Sequence, residues 1–245
     1  MAVVALWSMK GGVGVSVLTA ALTISADGPA GALMGTVIAV DLVGDLPVVL
    51  GREPTEGLGV IDWVKATPDD PVDALRRLAA GAESDELSFG VVPRGGGAIE
   101  VDDPDAAAAR LVEALGAMAD VVFVDCGEFR RPGSTPDDAP PPSDEQRFRI
   151  AVAAAADVGW LVSRACYLSA RVAAHSPVPA DGCVVLSETG RALGSGDVAA
   201  AIGAPLVLDV AVDPRIARIV DCGSLLTRLP SSLQRTMVRS LRHVA

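Results

Sequence analysis

The chain has 245 residues, 50% of them hydrophobic, and a formal net charge of −11. That length suits one large α/β domain, and the apolar content can bury a sizeable core while the acidic surface favours solubility. The composition excludes a wholly disordered chain. The acidic balance also excludes a protein that coats nucleic acid with most of its surface.

Short apolar runs rich in Val, Ile and Leu recur along the chain and predict buried parallel strands. These runs are residues 2–7, 37–42, 87–92, 121–124, 159–162, 183–186 and 205–212. Ala- and Leu-rich stretches with helical spacing, such as 106–118 and 168–174, alternate with them. The alternation predicts βαβ crossovers and a doubly wound, mostly parallel α/β sheet in a single domain over residues 1–245.

Residues 130–147 contain five prolines among Asp, Ser and Gly, and therefore predict a flexible loop within this domain. The longest charge-free apolar stretches fall short of the about 18 residues that a membrane span needs. The N-terminus also lacks the basic segment of a secretion signal, so we expect a cytoplasmic protein. The four cysteines have no C-x-x-C spacing, which favours buried thiols over a zinc site or disulfides.

The first predicted strand is followed by Lys10-Gly11-Gly12-Val13-Gly14-Val15-Ser16 and then by a helical run. This is the context of a phosphate-binding loop, because glycines allow successive N–H groups to point inward and the helix N-terminus adds partial positive charge. The usual G-x-x-x-x-G-K-[ST] pattern is not met. Met9 stands at its first Gly and Val15 at its Lys, so only Gly14 and Ser16 fit.

The loop resembles that of the ParA/MinD superfamily of deviant Walker A ATPases, which reads K-G-G-x-G-K-[ST] and has an additional early lysine. Lys10 matches that lysine and is one of two lysines in the chain. The resemblance implies a P-loop NTPase fold of the SIMIBI type that binds ATP or ADP with Mg²⁺. The implied nucleotide contacts are Lys10, Gly11, Gly12, Val13, Gly14, Val15, Ser16, Val17, Asp213 and Pro214.

The same resemblance assigns roles to carboxylates at strand ends. Asp41 ends the second predicted strand like the family's switch I aspartate, and Asp125 follows the fourth like its Walker B aspartate. It implies Lys10, Asp41 and Asp125 as catalytic residues, and Ser16 and Asp125 as the magnesium site. Residues 212–223 resemble the P-E-D-x-x-V…G-x-P-V segment of MinD-like proteins. Residues 41–46 and 164–168 are most similar to the CpaE/TadZ branch, which localises pilus-assembly machinery.

Three positions depart from the family pattern. Val15 replaces the lysine that contacts the β- and γ-phosphates, which should weaken nucleotide binding about ten- to a hundredfold and remove charge stabilisation from phosphoryl transfer. Val43 stands where a second switch I carboxylate positions the attacking water and metal. Residues 186–189 lack the Asn that reads adenine in MinD-like proteins.

These observations predict a nucleotide-sandwich homodimer, in which Lys10 reaches the partner's nucleotide, with weak or absent ATP hydrolysis. In the alternative interpretation the glycines make only a tight strand-to-helix turn and bind nothing. Lys10 favours the first interpretation, because a lysine at this position is unexpected in a chain whose other basic residues are almost all arginines.

From Arg215 onward the chain has six arginines and one acidic residue, so positive charge is concentrated in an otherwise acidic protein. Residues 231–245 predict an amphipathic helix. Its apolar face contains Leu233, Met237, Leu241 and Val244, and its polar face Arg235, Arg239 and Arg242. The helix either packs on the sheet with its arginines in solvent, or contacts a membrane surface as in MinD or DNA as in ParA.

Three functions are compatible with this sequence. The first is a CpaE/TadZ-like positioning protein, dimeric, acting through a partner protein of a localisation, pilus or partition system, and cytoplasmic or peripheral at the membrane or nucleoid. The second is a working partition ATPase that binds DNA. The third is an interaction scaffold with a vestigial P-loop. Val15 and Val43 favour the first function over the second, and Lys10 favours it over the third.

Overall fold

The computed structural model describes residues 1–28, 35–53, 57–66, 68–81, 89–129 and 142–244. Within these ranges seven strands form one sheet in the order β3-β2-β4-β1-β5-β6-β7, and all neighbouring strands are parallel. The strands are β1 (Ala2–Ser8), β2 (Val37–Asp41), β3 (Gly90–Val92), β4 (Val121–Glu128), β5 (Val158–Arg164), β6 (Gly182–Ser187) and β7 (Leu206–Ala211). The predicted doubly wound α/β fold is therefore confirmed.

Helices connect the strands and cover both faces of the sheet. They are α1 (Val15–Asp27), α2 (Leu46–Val49), α3 (Val60–Ala66), α4 (Pro71–Gly81), α5 (Pro104–Met118), α6 (Asp144–Ala155), α7 (Tyr167–Ala173), α8 (Ser195–Ile202), α9 (Pro214–Asp221), α10 (Leu225–Arg228) and α11 (Ser231–Ser240), and a 3₁₀ turn follows at Leu241–His243. Among the described residues, none of these helices has the length and apolar content to cross a bilayer.

Helix α6 corrects the predicted boundary of the proline-rich loop. It begins at Asp144, so residues 144–147 of the predicted loop are helical. The hydroxyl of Ser143 accepts a hydrogen bond from the backbone N–H of Gln146 at 3.2 Å and caps the helix. Residues 130–141 of the predicted loop lie outside the described ranges.

Alternate residues of β1 enter two hydrophobic layers. Val3, Ala5 and Trp7 pack with α3–α6 on one face of the sheet, and Val4 and Leu6 pack with α1 and α11 on the other. All five are at most 1% exposed. Because both faces are covered, β1 is a continuous apolar run rather than an alternating pattern.

Helix α11 packs its apolar face against α1 and β7. This face comprises Leu233 and Met237, and Leu241 and Val244 continue it beyond the helix; none of the four is more than 7% exposed. The helix predicted over residues 231–245 is therefore α-helical only to Ser240, where a 3₁₀ turn follows. Its exposed arginines are Arg235, Arg239 and Arg242. The helix is therefore part of the folded core, with its charged side in solvent.

Two glycine backbones bring distant parts of the chain together. A Cβ on Gly51, just after α2, would lie 2.0 Å from the carbonyl oxygen of Gly223, between α9 and α10. Both residues have positive φ, 78° and 60°, a conformation that side chains other than glycine rarely adopt. The segment after β2 therefore rests directly on the C-terminal segment.

The central strand β1 lies between β4 and β5, and the loops that follow these three strands meet at one edge of the sheet. From β1 the chain crosses to β2 on one side, and only after β4 does it cross to β5 on the other. In open α/β sheets, ligands bind at the carboxyl edge where the strand order reverses. The carboxyl end of β1 is that position here.

Candidate functional site

Residues 9–14 join β1 to α1 in a tight loop around Gly12 and Gly14. Their φ angles are 71° and 91°, which require glycine. The carbonyl of Gly14 accepts a hydrogen bond from the N–H of Leu18 at 2.9 Å, and no side chain among the described residues caps the helix. The first N–H groups of α1 thus lack a side-chain acceptor, an arrangement suited to binding an anion.

Ser16 and Asp125 lie together next to this loop. Ser16, in the first turn of α1, lies close enough to the carboxylate of Asp125 in β4 for its hydroxyl to oppose the rise in the pKa of that carboxyl. Asp125 Oδ1 also accepts the N–H of Gly127 at 2.9 Å. Its Oδ2 is buried and has no hydrogen-bond partner in the described part of the chain. Burial, and secondarily the charge of Asp41, raise the pKa of Asp125 to about 7.

This pair fits a magnesium ion. Mg²⁺ usually keeps several waters and takes one or two oxygen ligands from the protein together with substrate phosphates. Ser16 offers a hydroxyl at the helix start, and the unpartnered Oδ2 of Asp125 can accept a hydrogen bond from a metal-bound water. A cation at this position would favour the ionised form of Asp125 and offset the effect of burial.

Asp41 ends β2 directly beside Asp125, its register partner on β4. Its Oδ1 accepts the N–H groups of Val43 and Gly44 at 2.9 and 2.7 Å, and its Oδ2 accepts that of Leu46 at 3.1 Å. Burial raises its pKa, and these three backbone hydrogen bonds oppose the rise. These hydrogen bonds hold the turn into α2, and the catalytic role expected for Asp41 stays a prediction.

The two valines that replace charged residues of the family are held by packing. Val15, the first residue of α1, is 6% exposed and belongs to the core layer of that helix. Val43 packs over Gly127, since a Cβ on that glycine would lie 2.5 Å from Val43 Cγ2. Neither position offers a charged group to a phosphate or to an attacking water.

Lys10 lies on the β5 side of the loop. The hydroxyl of Ser8 donates to the carbonyl of Lys10 at 3.1 Å. The nearby Ser169 and, more weakly, the positive charges of Arg191 and Lys10 lower the pKa of the Cys166 thiol, against the opposing effect of burial. The ammonium group of Lys10 is thus close enough to the turn between β5 and α7 to act on it electrostatically.

Sequence reasoning missed two charged residues at the loop. A Cβ on Gly11 would lie 2.9 Å from Glu128 Oε2, so the carboxylate at the end of β4 lies against the loop. Arg164, at the end of β5, donates from Nη2 to the carbonyl of Gly12 at 3.5 Å. Their positions at the ends of the two strands that flank β1 are the signal that would have found them.

The predicted contacts Asp213 and Pro214 belong to the start of α9. The carboxylate of Asp213 caps this helix by accepting the N–H of Arg215 at 2.9 Å. It also pairs with the guanidinium of Arg215, and that hydrogen bond lowers its pKa. None of the contacts described for Asp213 joins it to the glycine loop, so its role at a nucleotide stays a prediction.

No protein-family model matches the chain, and no curated protein matches it by sequence. Solved structures do match its fold. A ParA family ATPase from Chlorobium tepidum is 19% identical over 98% of both chains, with a TM-score of 0.68. The septum site-determining protein MinD from Pyrococcus horikoshii, complexed with Mg-ADP, is 16% identical over 99% of this chain and 95% of its own, with a TM-score of 0.68. In the MinC:MinD cell division complex from Aquifex aeolicus, the matching chain is 18% identical over the same shares, with a TM-score of 0.69. At these identities the similarity establishes the fold.

Proposed function

We propose that this chain is a ParA/MinD-like protein that binds ATP or ADP with Mg²⁺ and positions other components through partner proteins, with little or no hydrolysis. The observation that carries the proposal is the Ser16–Asp125 pair, with one buried carboxylate oxygen unpartnered in the described structure, next to a loop with two left-handed glycines. The MinD structure with Mg-ADP has the same fold and supports the choice of ligand.

The same site accounts for impaired hydrolysis. Phosphoryl transfer depends on positive charge against the β- and γ-phosphates and on a group that orients the attacking water. Val15 is a buried apolar residue at the first of these positions, and Val43 packs on Gly127 at the second. Asp41 holds the turn into α2 through three backbone N–H groups, and the position of the second carboxylate is occupied by Val43.

A homodimer is the expected working form. The charge of Lys10 acts on Cys166 in the β5–α7 turn, and Tyr167 and Leu168, the first residues of α7, are 69% and 56% exposed. A second copy of the chain that covered these apolar side chains would bring its own Lys10 near the nucleotide of the first. The MinC:MinD complex illustrates a partner protein bound to this fold. The CpaE/TadZ branch is supported by residues 41–46 and 164–168.

A partition ATPase that binds DNA is the second candidate, and it is favoured by the exposed arginines of the C-terminal helices. These are Arg215, Arg218, Arg228, Arg235, Arg239 and Arg242. Co-sedimentation with duplex DNA and with anionic vesicles, each at two salt concentrations, distinguishes the candidates. A salt-sensitive pellet with DNA alone favours partition, a vesicle pellet favours recruitment to a membrane surface, and no pellet favours action through proteins.

Calorimetric titration with Mg-ATP and Mg-ADP tests nucleotide binding, and phosphate release tests hydrolysis. We expect binding by the wild type, loss of binding in Lys10→Ala, and tighter binding by about tenfold or more in Val15→Lys. Phosphate release should stay near the background rate. Turnover like that of ordinary ParA proteins would contradict the proposed lack of hydrolysis. Absence of heat from all three proteins would leave a scaffold with a vestigial loop.

A further inference from the structure

We propose that Arg164 supplies to the bound phosphates the positive charge that the glycine loop lacks at Val15. The inference rests on the proposed nucleotide binding and adds to it a phosphate-binding residue from a different strand. Three observations support the inference: the register of β5 against β1, the hydrogen bonds of the Arg164 guanidinium, and the charges around that guanidinium.

The register of the sheet places Arg164 beside the loop. Strand β5 pairs directly with β1, and Val162 is the partner of Ser8, the last residue of β1. Arg164 lies two residues farther along β5, so its side chain starts beyond the end of β1, where the loop begins. The contact of 3.5 Å between Arg164 Nη2 and the carbonyl oxygen of Gly12 shows that the guanidinium reaches the loop.

The guanidinium of Arg164 is also held by Glu188, which follows β6 on the side of β5 opposite to β1. Arg164 Nη1 donates to Glu188 Oε1 at 3.1 Å, while Nε is buried without a hydrogen-bond partner among the described residues. Arginine has five N–H donors, so this anchoring leaves donor capacity on the side of the loop. The hydrogen bond to Gly12 is long, and a phosphate oxygen is a stronger acceptor than a peptide carbonyl.

The charges around Arg164 do not cancel. Glu188 also pairs with Arg191, whose Nη2 lies 2.6 Å from Oε2, so one carboxylate serves two guanidinium groups. Lys10 acts on the same turn from the loop side. The cluster Lys10, Arg164, Arg191 and Glu188 is therefore net positive on the β5 side of the glycine loop, which favours a polyanion there. The carboxylate of Glu128 opposes this effect from the β4 side.

A merely structural role for Arg164 would act through Gly12, by fixing the loop. The phosphate-binding role and the loop-fixing role predict different effects of a second substitution, Val15→Lys, on binding. Val15→Lys returns a cation to the loop but cannot replace the hydrogen bond to Gly12. Val15→Lys should tighten binding in either background, so only a larger gain in affinity in Arg164→Ala than in the wild type requires that the missing element is the charge.

The experiment measures the Kd of Mg-ADP and of inorganic tripolyphosphate, a probe without base or ribose, by calorimetry. Arg164→Ala should weaken both about tenfold or more, and Arg164→Gln, which keeps a polar side chain but removes the charge, should weaken both similarly. The matched control is Arg191→Ala, which removes the other partner of Glu188 and should change Kd less than about threefold. Thermal melting of each variant checks that it is folded.

The outcomes separate this inference from the proposed function. A larger gain in affinity from Val15→Lys in Arg164→Ala than in the wild type supports the phosphate-binding role. Wild-type affinity in both Arg164 variants would overturn that role and leave nucleotide binding intact. An equal or smaller gain from Val15→Lys in Arg164→Ala than in the wild type would also overturn that role, in favour of loop positioning. Absence of binding by the wild type would overturn both proposals.

Discussion

Replacing Asp125 by Asn should change how the stability of the protein depends on pH. Asp125 is buried in β4, and burial, followed by the charge of Asp41, raises its pKa from 3.8 to about 7. Between these pH values the folded state keeps a proton that the unfolded state has released. The ionisation of Asp125 therefore destabilises the fold progressively as the pH rises toward 7, and the full effect is present above that value.

The size of the effect follows from the window between the two pKa values. One proton held by the folded state alone changes the free energy of unfolding by about 1.4 kcal/mol per pH unit. From pH 5.5 to pH 8 the wild type should lose roughly 2 kcal/mol that Asp125→Asn does not lose, because most of the change occurs below pH 7. Asn has nearly the same shape, so the comparison isolates the charge.

Urea unfolding of both proteins at pH 5.5 and pH 8, with EDTA and without nucleotide, measures this difference. Asp69→Asn is the matched control, because Asp69 is exposed and lies away from the Asp41–Asp125 pair. We expect this control to follow the wild type at both pH values. If Asp125→Asn also follows the wild type, the buried carboxylate does not hold its proton near neutral pH, and the argument from burial is wrong.

Three further predictions concern the loop and the core. Glu128→Gln should tighten Mg-ATP binding about three- to tenfold, because it removes a negative charge that lies against Gly11. Calorimetry beside the exposed control Glu113→Gln checks this, and unchanged affinity would contradict it. Gly127→Ala should cost at least about 1 kcal/mol more than Gly97→Ala, since both have positive φ but only Gly127 has a neighbour, Val43, within 4 Å. Urea unfolding should show partial recovery in Val43→Ala/Gly127→Ala, and no recovery would show that crowding by Val43 is not the cause. Met237→Ala should lower the unfolding free energy by roughly 2–5 kcal/mol, and Arg239→Ala by less than about 0.5 kcal/mol. A small effect of Met237→Ala would mean that α11 is not part of the cooperative core.

The strands could be predicted from the sequence because a buried strand is recognised from the apolar character of a few consecutive residues. A strand buried on both faces must be apolar at every position, and β1 shows this directly in residues 2–7. The position of the loop between β1 and α1 followed from the same pattern. The start of α6 was missed because the high proline content of residues 130–147 outweighed a local signal. Ser143 and Gln146 have the spacing of a capping box.

Part of the site could not be predicted from the sequence because it depends on the register between neighbouring strands. Leu6 is paired with Asp125 but Trp7 with Gly127, so a bulge at Cys126 shifts the end of β4 by one residue. That shift sets Glu128 opposite Ser8, next to the loop. The sequence was sufficient to single out Asp41 at the end of β2. The three backbone N–H groups that donate to its carboxylate could be identified only from the folded turn.

The contact between Gly51 and Gly223 bears on how the arginine-rich surface can be probed. Shortening the chain at this point would remove four of the six arginines, but it would also remove Leu225, Leu233 and Met237 and expose the segment after β2 that packs on Gly223. A truncated protein that no longer sediments with a polyanion would thus report on damaged folding as much as on lost charge. Swapping individual exposed arginines for glutamine avoids this confusion, because it alters the electrostatics and leaves the interior untouched.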